Sequence, residues 1–425
     1  MRTMHGVVLG ITAALIVVPG CSLYINDVLG RADDDVIGSE GEGEGEGEGE
    51  GEGEGEGEGE GEGEGEGEGE VVDDTDPACE ADERLLLVRD DEVDALQVYD
   101  LGDGAMVRRF PQGSVANVNI DNDDSVALQN GWGASDVALG GDNRLFVVGD
   151  RFLYQFQRST LLQQPITGRQ QVVLENFGST DHVEVINDTV VTFGANIRQL
   201  PANAAVGENA TVLHQGDTYL GTTAFAIDGT RFVAASAAYG YVVIGADGSN
   251  PPTVRAFHDE EADSDRIHSF GSGSPPKGIA FDAATRTLLL GDRDRVIIMS
   301  ADDSFLFPAT DDDDYIIPGA TDVDVSAIAA RGGFAYVLLT RGIDNLIKLD
   351  LSLRPPQAVA IGTVDVDSFG RDMTVGCRRV VVASFDKVVA VDRVSLDAAG
   401  NLAVRDVRKV RIVQRAELGL AGDVR

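Results

Sequence analysis

The residues able to do chemistry in this chain are mostly carboxylates, with few soft donors beside them. There are three cysteines (Cys21, Cys79 and Cys377) and five histidines, one of them the near-terminal His5. No Gly-x-Ser-x-Gly elbow, Gly-x-x-x-x-Gly-Lys phosphate loop or His-Glu-x-x-His zinc pair occurs. Two long polar segments concentrate the remaining donors. One, residues 111–133, carries Asn119, Asp121, Asn122, Asp123, Asp124 and Trp132; the other, residues 247–276, carries His258, Asp259, Glu260, Glu261, Asp263, Asp265, Arg266 and His268. Carboxylates and imidazoles of that second segment offer oxygen and nitrogen to a divalent metal, but their spacing matches neither an EF-hand nor a zinc site. Trp132, between Gly131 and Gly133, reads either as a contact aromatic or as a cap on the core. A further set sits in short turns: Asp150, Arg151, Asn196, Asp292, Arg293, Arg341, Asp344 and Asp386. Asp and Asn in tight turns also bond their own backbone, which is the plain alternative to ligand binding.

The elements that position these groups are short β-rich runs separated by Gly, Asp and Asn. A unit recurs: a short strand, a tight turn, a more apolar strand, a charged turn and a third strand. Asp136 to Leu139, Arg144 to Gly149 and Phe152 to Phe156 form one copy. Five more open at Val183, Ala224, Gly278, Ala327 and Met373, and Leu85 to Val88 with Leu96 to Leu101 begin a first unit that lacks its opening strand. Seven units of about 42 to 60 residues predict one radial all-β repeat over residues 80–425. The periodicity admits six to eight blades, and a pair of β-sandwiches is the rival architecture.

The pattern resembles seven-bladed β-propellers of the NHL and YVTN sort, without a diagnostic motif; one tryptophan cannot supply a Trp-Asp signature per blade. The resemblance implies that the long insertions and the second-to-third-strand turns share one face, which in propellers commonly carries ligands. It also leaves calcium open as a cofactor, since lactonase and phytase propellers hold it with channel-lining acids; otherwise no cofactor is expected. A propeller has to join its first and last blades, and Leu418 to Val424 is the expected closing strand.

The N-terminus gives an address. Residues 6–18 are apolar but too short to span a bilayer, which takes about 20 residues, and they fit the h-region of a signal peptide over residues 1–20. Val18-Pro19-Gly20-Cys21 resembles the bacterial lipobox, with Pro19 as the departure from its pattern. The resemblance implies a lipid-modified Cys21, multiple acyl chains for stable anchoring and, from Ser22, sorting to the outer membrane. Ordinary cleavage with Cys21 a thiol is the alternative. With Cys21 lipidated, Cys79 and Cys377 remain as an even pair in an oxidising compartment, expected to bridge and clamp the ring; two unpaired thiols are the other reading. Residues 21–79 include fifteen Gly-Glu dipeptides over residues 41–70. With no apolar surface to offset ordering entropy, they read as a disordered tether with an r.m.s. span of roughly 40 Å.

Residues 1–79 carry 23 acids against two arginines, a net of −21, and the remainder carries 50 acids against 31 bases, a net of −19. An acidic domain repels nucleic acid. The expectation is therefore a monomeric, lipid-anchored envelope protein that presents its loop-rich face to a protein or glycan without catalysis. The alternative is a calcium-dependent hydrolase or lactonase-like propeller.

Overall fold

The computed structural model describes residues 77–89, 96–101, 107–109, 134–141, 143–149, 152–158, 170–173, 180–204, 210–215, 219–227, 229–237, 240–246, 253–256, 278–292, 295–300, 314–318, 324–340, 345–366 and 372–418. The chain divides after Gly67, and every described residue lies in the second part. Cys21, the signal segment, the Gly-Glu run, Trp132, Asp150, Arg151, His258, His268, Arg293, Arg341 and Asp344 fall outside the described residues.

Seven four-stranded antiparallel sheets make up this unit. Blade 2 runs outward through Asp136–Leu139, Arg144–Gly149, Phe152–Gln157 and Gln170–Val173. Blades 3 to 7 repeat the order, opening on inner strands Thr180–Ile186, Tyr219–Ile227, Ile279–Asp282, Val325–Arg331 and Asp372–Val375. Blade 7 continues through Arg379–Ala383 and Val388–Asp392 to an outer strand, Ala398–Leu402. Each inner strand touches the next, and the circle closes through blade 1. The fold is a seven-bladed β-propeller.

Burial explains why the second strand of each unit reads as an unbroken apolar run. Leu85, Leu86, Leu87 and Val88 of blade 1 are all fully buried, as are Val380, Val381, Val382 and Ala383 of blade 7. Both faces of such a strand pack on a neighbouring blade, so the two-residue alternation of a half-exposed strand disappears. Seven apolar clusters result, one between each pair of successive blades. Leu86 and Val98 of blade 1 meet Val137 and Val147 of blade 2, and at the far side Val381 and Val388 of blade 7 meet Leu85 and Val410 of blade 1. The other five join blades 2–3, 3–4, 4–5, 5–6 and 6–7 in the same way. The outer strand Gln357–Gly362 of blade 6 is mostly exposed, with Val359 and Ile361 on the surface.

Blade 1 is built from both ends of the chain. Its inner strand is Val407–Gln414, paired antiparallel with Glu83–Arg89 so that Leu85 faces Ile412 and Leu87 faces Val410. Leu96–Leu101 and Val107–Arg109 complete the blade. The closing strand therefore lies upstream of the expected Leu418–Val424. Leu418 ends a 3-10 turn, Arg415–Leu418, and residues 419–425 are outside the described set. Val407–Gln414 has eight residues without glycine and buries Val407, Val410 and Val413, whereas Gly419 and Gly422 weaken the later segment as a strand.

A short helix, Pro77–Asp82, leads into blade 1 and takes in residues 77–79 from the end of the expected tether. Its Cys79 forms a disulfide with Cys377 across 298 residues, with the Cα atoms 6.0 Å apart. Cys377 lies in the turn between the first two strands of blade 7, so the bridge crosses the blade 7–blade 1 seam. Salt bridges reinforce it: buried Glu80 contacts Arg378 and Arg379, each at 3.4 Å, and Arg379 also reaches Asp392 at 3.1 Å.

Candidate functional site

The strand order gives the disc two unlike faces. The lower face carries the turns between first and second strands and between third and fourth. The helix Pro77–Asp82, the disulfide and Arg331, at the end of the inner strand of blade 6, all lie there. The upper face carries the second-to-third-strand turns and the connections between blades. Of the turn residues singled out in the sequence, the described ones sit on this upper face. Asn196 is half-buried where the third strand of blade 3 begins, and Asp292 is buried at the end of the second strand of blade 5. Asp386 is half-buried in blade 7 and accepts a hydrogen bond from Ser384 Oγ at 3.1 Å. Asn345 is spent internally: its amide donates to Val364 O and accepts from Val364 N, at 2.9 and 2.7 Å. Phe385, beside Asp386, is 52% exposed and is the most prominent described aromatic of that face.

The axis holds a group that the sequence reading did not single out. Arg411, on the closing strand, points into the channel and grips Glu184 of blade 3 with its two terminal guanidinium nitrogens, at 2.7 and 3.2 Å. Thr222 Oγ1 of blade 4 donates to the same carboxylate at 3.2 Å, and Arg411 also lies 3.7 Å from Asp136 of blade 2. His182 Nδ1 is 3.5 Å from the other Asp136 oxygen, and Lys409 Nζ is 3.6 Å from Asp372 of blade 7. The carboxylates also latch blades together through the backbone. Asp136 accepts from Val183 N of blade 3 at 3.2 Å, and Asp372 accepts from Val410 N of blade 1 at 2.8 Å. Three acids, Lys409, Arg411 and His182 thus form a belt supplied by blades 7, 1, 2 and 3. Blades 4 to 6 complete the circumference with Thr222, Ile279 and Ile328.

Electrostatics follow from this enclosure. Burial alone would push the Asp136 carboxyl up, but Lys409, the His182 hydrogen bond and Arg411 outweigh it and bring it down to about 2. Burial prevails at Asp372, which is raised above the ordinary aspartate range despite Lys409. Burial disfavours the Lys409 ammonium, yet Asp372 and Asp136 more than offset it and hold the group above its usual value.

Two cavities adjoin at the belt. A lower chamber of about 380 Å³ is walled by Val185, Ala224, Phe281, Ala330, Val375 and Val413, and an upper one of about 280 Å³ by Ser135, His182, Leu220, Gly278, Ser326 and Arg408. Thr222, Ile279, Ile328, Asp372 and Lys409 line both. Gly278 is required at the upper mouth: its φ is +86° and a Cβ there would meet Ile328 N at 2.9 Å. One sequence signal for the belt was available. Glu184 stands between Val183 and Val185 in an inner strand, and Lys409 and Arg411 alternate with Val410 and Ile412.

No protein-family model matches the chain, and no curated protein sequence matches it. Solved structures do. A protein from Lactobacillus plantarum superposes with a TM-score of 0.53 at 15% identity, covering 78% of this chain and 99% of its own. Two structures of AztD from Citrobacter koseri, one of them the apo form, reach TM-scores of 0.45 and 0.46 at 13% identity, each covering 78% of this chain and 97% of AztD. At these identities the likeness is one of fold. The resemblance to NHL and YVTN proteins rests on the blade pattern alone.

Proposed function

We propose that this chain is a lipid-anchored protein of the bacterial envelope, sorted to the outer membrane, whose propeller is a non-catalytic platform offering its upper face to a protein or glycan. The observation that carries the reading is the separation of the two faces. The polypeptide enters the propeller at Pro77 on the lower face and is fastened there by Cys79–Cys377 and Glu80–Arg378/Arg379. A chain held through residues N-terminal to Pro77 thus leaves its upper turns pointing away from the attachment. The belt supports the non-catalytic half of the proposal. A calcium-dependent enzyme would need Asp136, Glu184 and Asp372 to turn their oxygens towards a metal, and those oxygens are engaged by Arg411, Lys409 and backbone N–H groups. A charge that is already paired offers little to a second cation.

The anchor is tested by Cys21→Ala, which should move the protein from the membrane to the soluble fraction; unchanged membrane association would defeat it. The platform is tested by crosslinking in intact cells with Phe385→Ser on the upper face and Val394→Ser on the lower. Val394, 58% exposed, lies in the turn after the third strand of blade 7. Partner crosslinks should be lost in the first variant and kept in the second. Calorimetric calcium binding that disappears in Glu184→Gln would instead favour the hydrolase.

A further inference from the structure

We infer that the seam disulfide masks a metal site: once reduced, Cys79, Cys377 and Glu83 bind one borderline divalent cation of the zinc type. The inference rests on the lower-face cluster alone and is independent of what the upper face binds. One donor atom from each of the three residues lies within 4.8 Å of the other two. Glu83 is fully buried at the start of a blade 1 strand, and its carboxylate is aimed at the sulfurs by two hydrogen bonds from Cys377 N, at 2.9 and 3.0 Å. A cation already marks the meeting point. Arg331 lies 3.2 Å from Glu83, 3.3 Å from the Cys377 sulfur and 3.7 Å from the Cys79 sulfur.

Three donors of two kinds, S₂O, suit a tetrahedral ion with its fourth position open to water. Zinc–sulfur bonds of about 2.3 Å place two thiolates ~3.8 Å apart, a separation that side-chain rotation can reach from Cα atoms 6.0 Å apart. Arg331, still 28% exposed, has room to swing outwards as the ion replaces its charge. The covalent step is ordinary exchange. One thiol of the reductant attacks a sulfur and breaks the Cys79–Cys377 bond, leaving one protein thiol and a mixed disulfide. A second reductant thiol attacks the reductant sulfur of that mixed disulfide and expels the other protein thiol, leaving two protein thiols and one reductant disulfide. Metal entry then releases the two thiol protons to solvent.

The test uses the full chain, reduced with dithiothreitol, desalted without oxygen and titrated with Co²⁺ before zinc competition. One equivalent should bind with a sulfur-to-cobalt charge-transfer band, absent from the same protein left oxidised. Glu83→Gln should weaken binding at least about tenfold, whereas Arg331→Ala, which removes the competing cation, should strengthen it. A purely structural role for Arg331 would not produce that second change. A reduced wild-type protein without the band, equal binding by the oxidised form, or weaker binding in Arg331→Ala would each overturn the site; the last needs no folded Glu83 variant.

Discussion

Arg411 is the side chain on which the axis depends, because it answers two carboxylates from different blades. Removing it leaves Glu184 and Asp136 enclosed and short of counter-charge, a change that typically costs 3–5 kcal/mol when one partner of a buried pair is lost. Arg411→Leu should therefore lower the urea midpoint sharply, and Arg411→Leu/Glu184→Leu should recover much of the loss; additive effects would show that the pair is not coupled. Asp136 gives the pH signature. Its folded value of about 2 lies below the ordinary 3.8, so its contribution is present above pH 4 and is lost as pH falls from 4 towards 2, on the order of 2 kcal/mol. Glu83 has the opposite sign. Burial raises it above 4.5 despite the Cys377 N–H and Arg331, so the folded state holds that proton more tightly and stability declines as pH rises from 4.5 through the folded value. Stability measured against pH should lose its steep acid limb in Asp136→Asn; an unchanged limb would assign it to other groups.

Among the elements, the seam between blades 7 and 1 is where the ring is held by several devices at once. The disulfide closes a loop of nearly 300 residues, for which chain-entropy models predict a stabilisation of several kcal/mol. Cys79→Ser/Cys377→Ser should lower the melting temperature and expose the seam to limited proteolysis; an unaltered digestion pattern would show that strand pairing alone keeps it shut. Gly376 is part of the same device. A Cβ there would sit 2.9 Å from Glu83 Cδ, so Gly376→Ala should cost about 1–3 kcal/mol through overpacking. Gly141→Ala, whose nearest neighbour would be 3.8 Å away, should stay within about 0.5 kcal/mol of wild type. Each substitution adds one methyl group, so the contrast reports the crowding by Glu83 and by Ile412, whose Cδ1 would also be 2.9 Å from the new Cβ.

For the whole molecule, the proposed tether and the propeller should be thermodynamically separate. The Gly-Glu run of residues 41–70 has no apolar side chain to bury. Deleting it should leave the melting temperature of the propeller within about 1 °C, given that ~1 kcal/mol shifts such domains by a few degrees; a larger drop on scanning calorimetry would mean that the run packs on the disc. Fastening on one face and display on the other then becomes a question of reach. In the proposed arrangement that reach would be set by the residues between Cys21 and Cys79, and the charge of −19 on residues 80–425 would repel an anionic surface.

Seven units were legible because burial on both faces writes itself as apolar runs such as Leu85-Leu86-Leu87-Val88 and Val380-Val381-Val382-Ala383. Cys79 and Cys377 were legible as a pair from their number, once Cys21 was set aside. Two things were decided only by tertiary structure. The closing strand is Val407–Gln414 because its register against Glu83–Arg89 puts three valines into the core, and no local propensity distinguishes it from other short β runs. The channel belt depends on the ring even more completely. Asp136, His182, Glu184, Asp372, Lys409 and Arg411 are spread over 276 positions of sequence, and each looks like a solvated residue in a short strand. Ring closure brings four blades to one axis, encloses the side chains there, and makes those charges each other's partners.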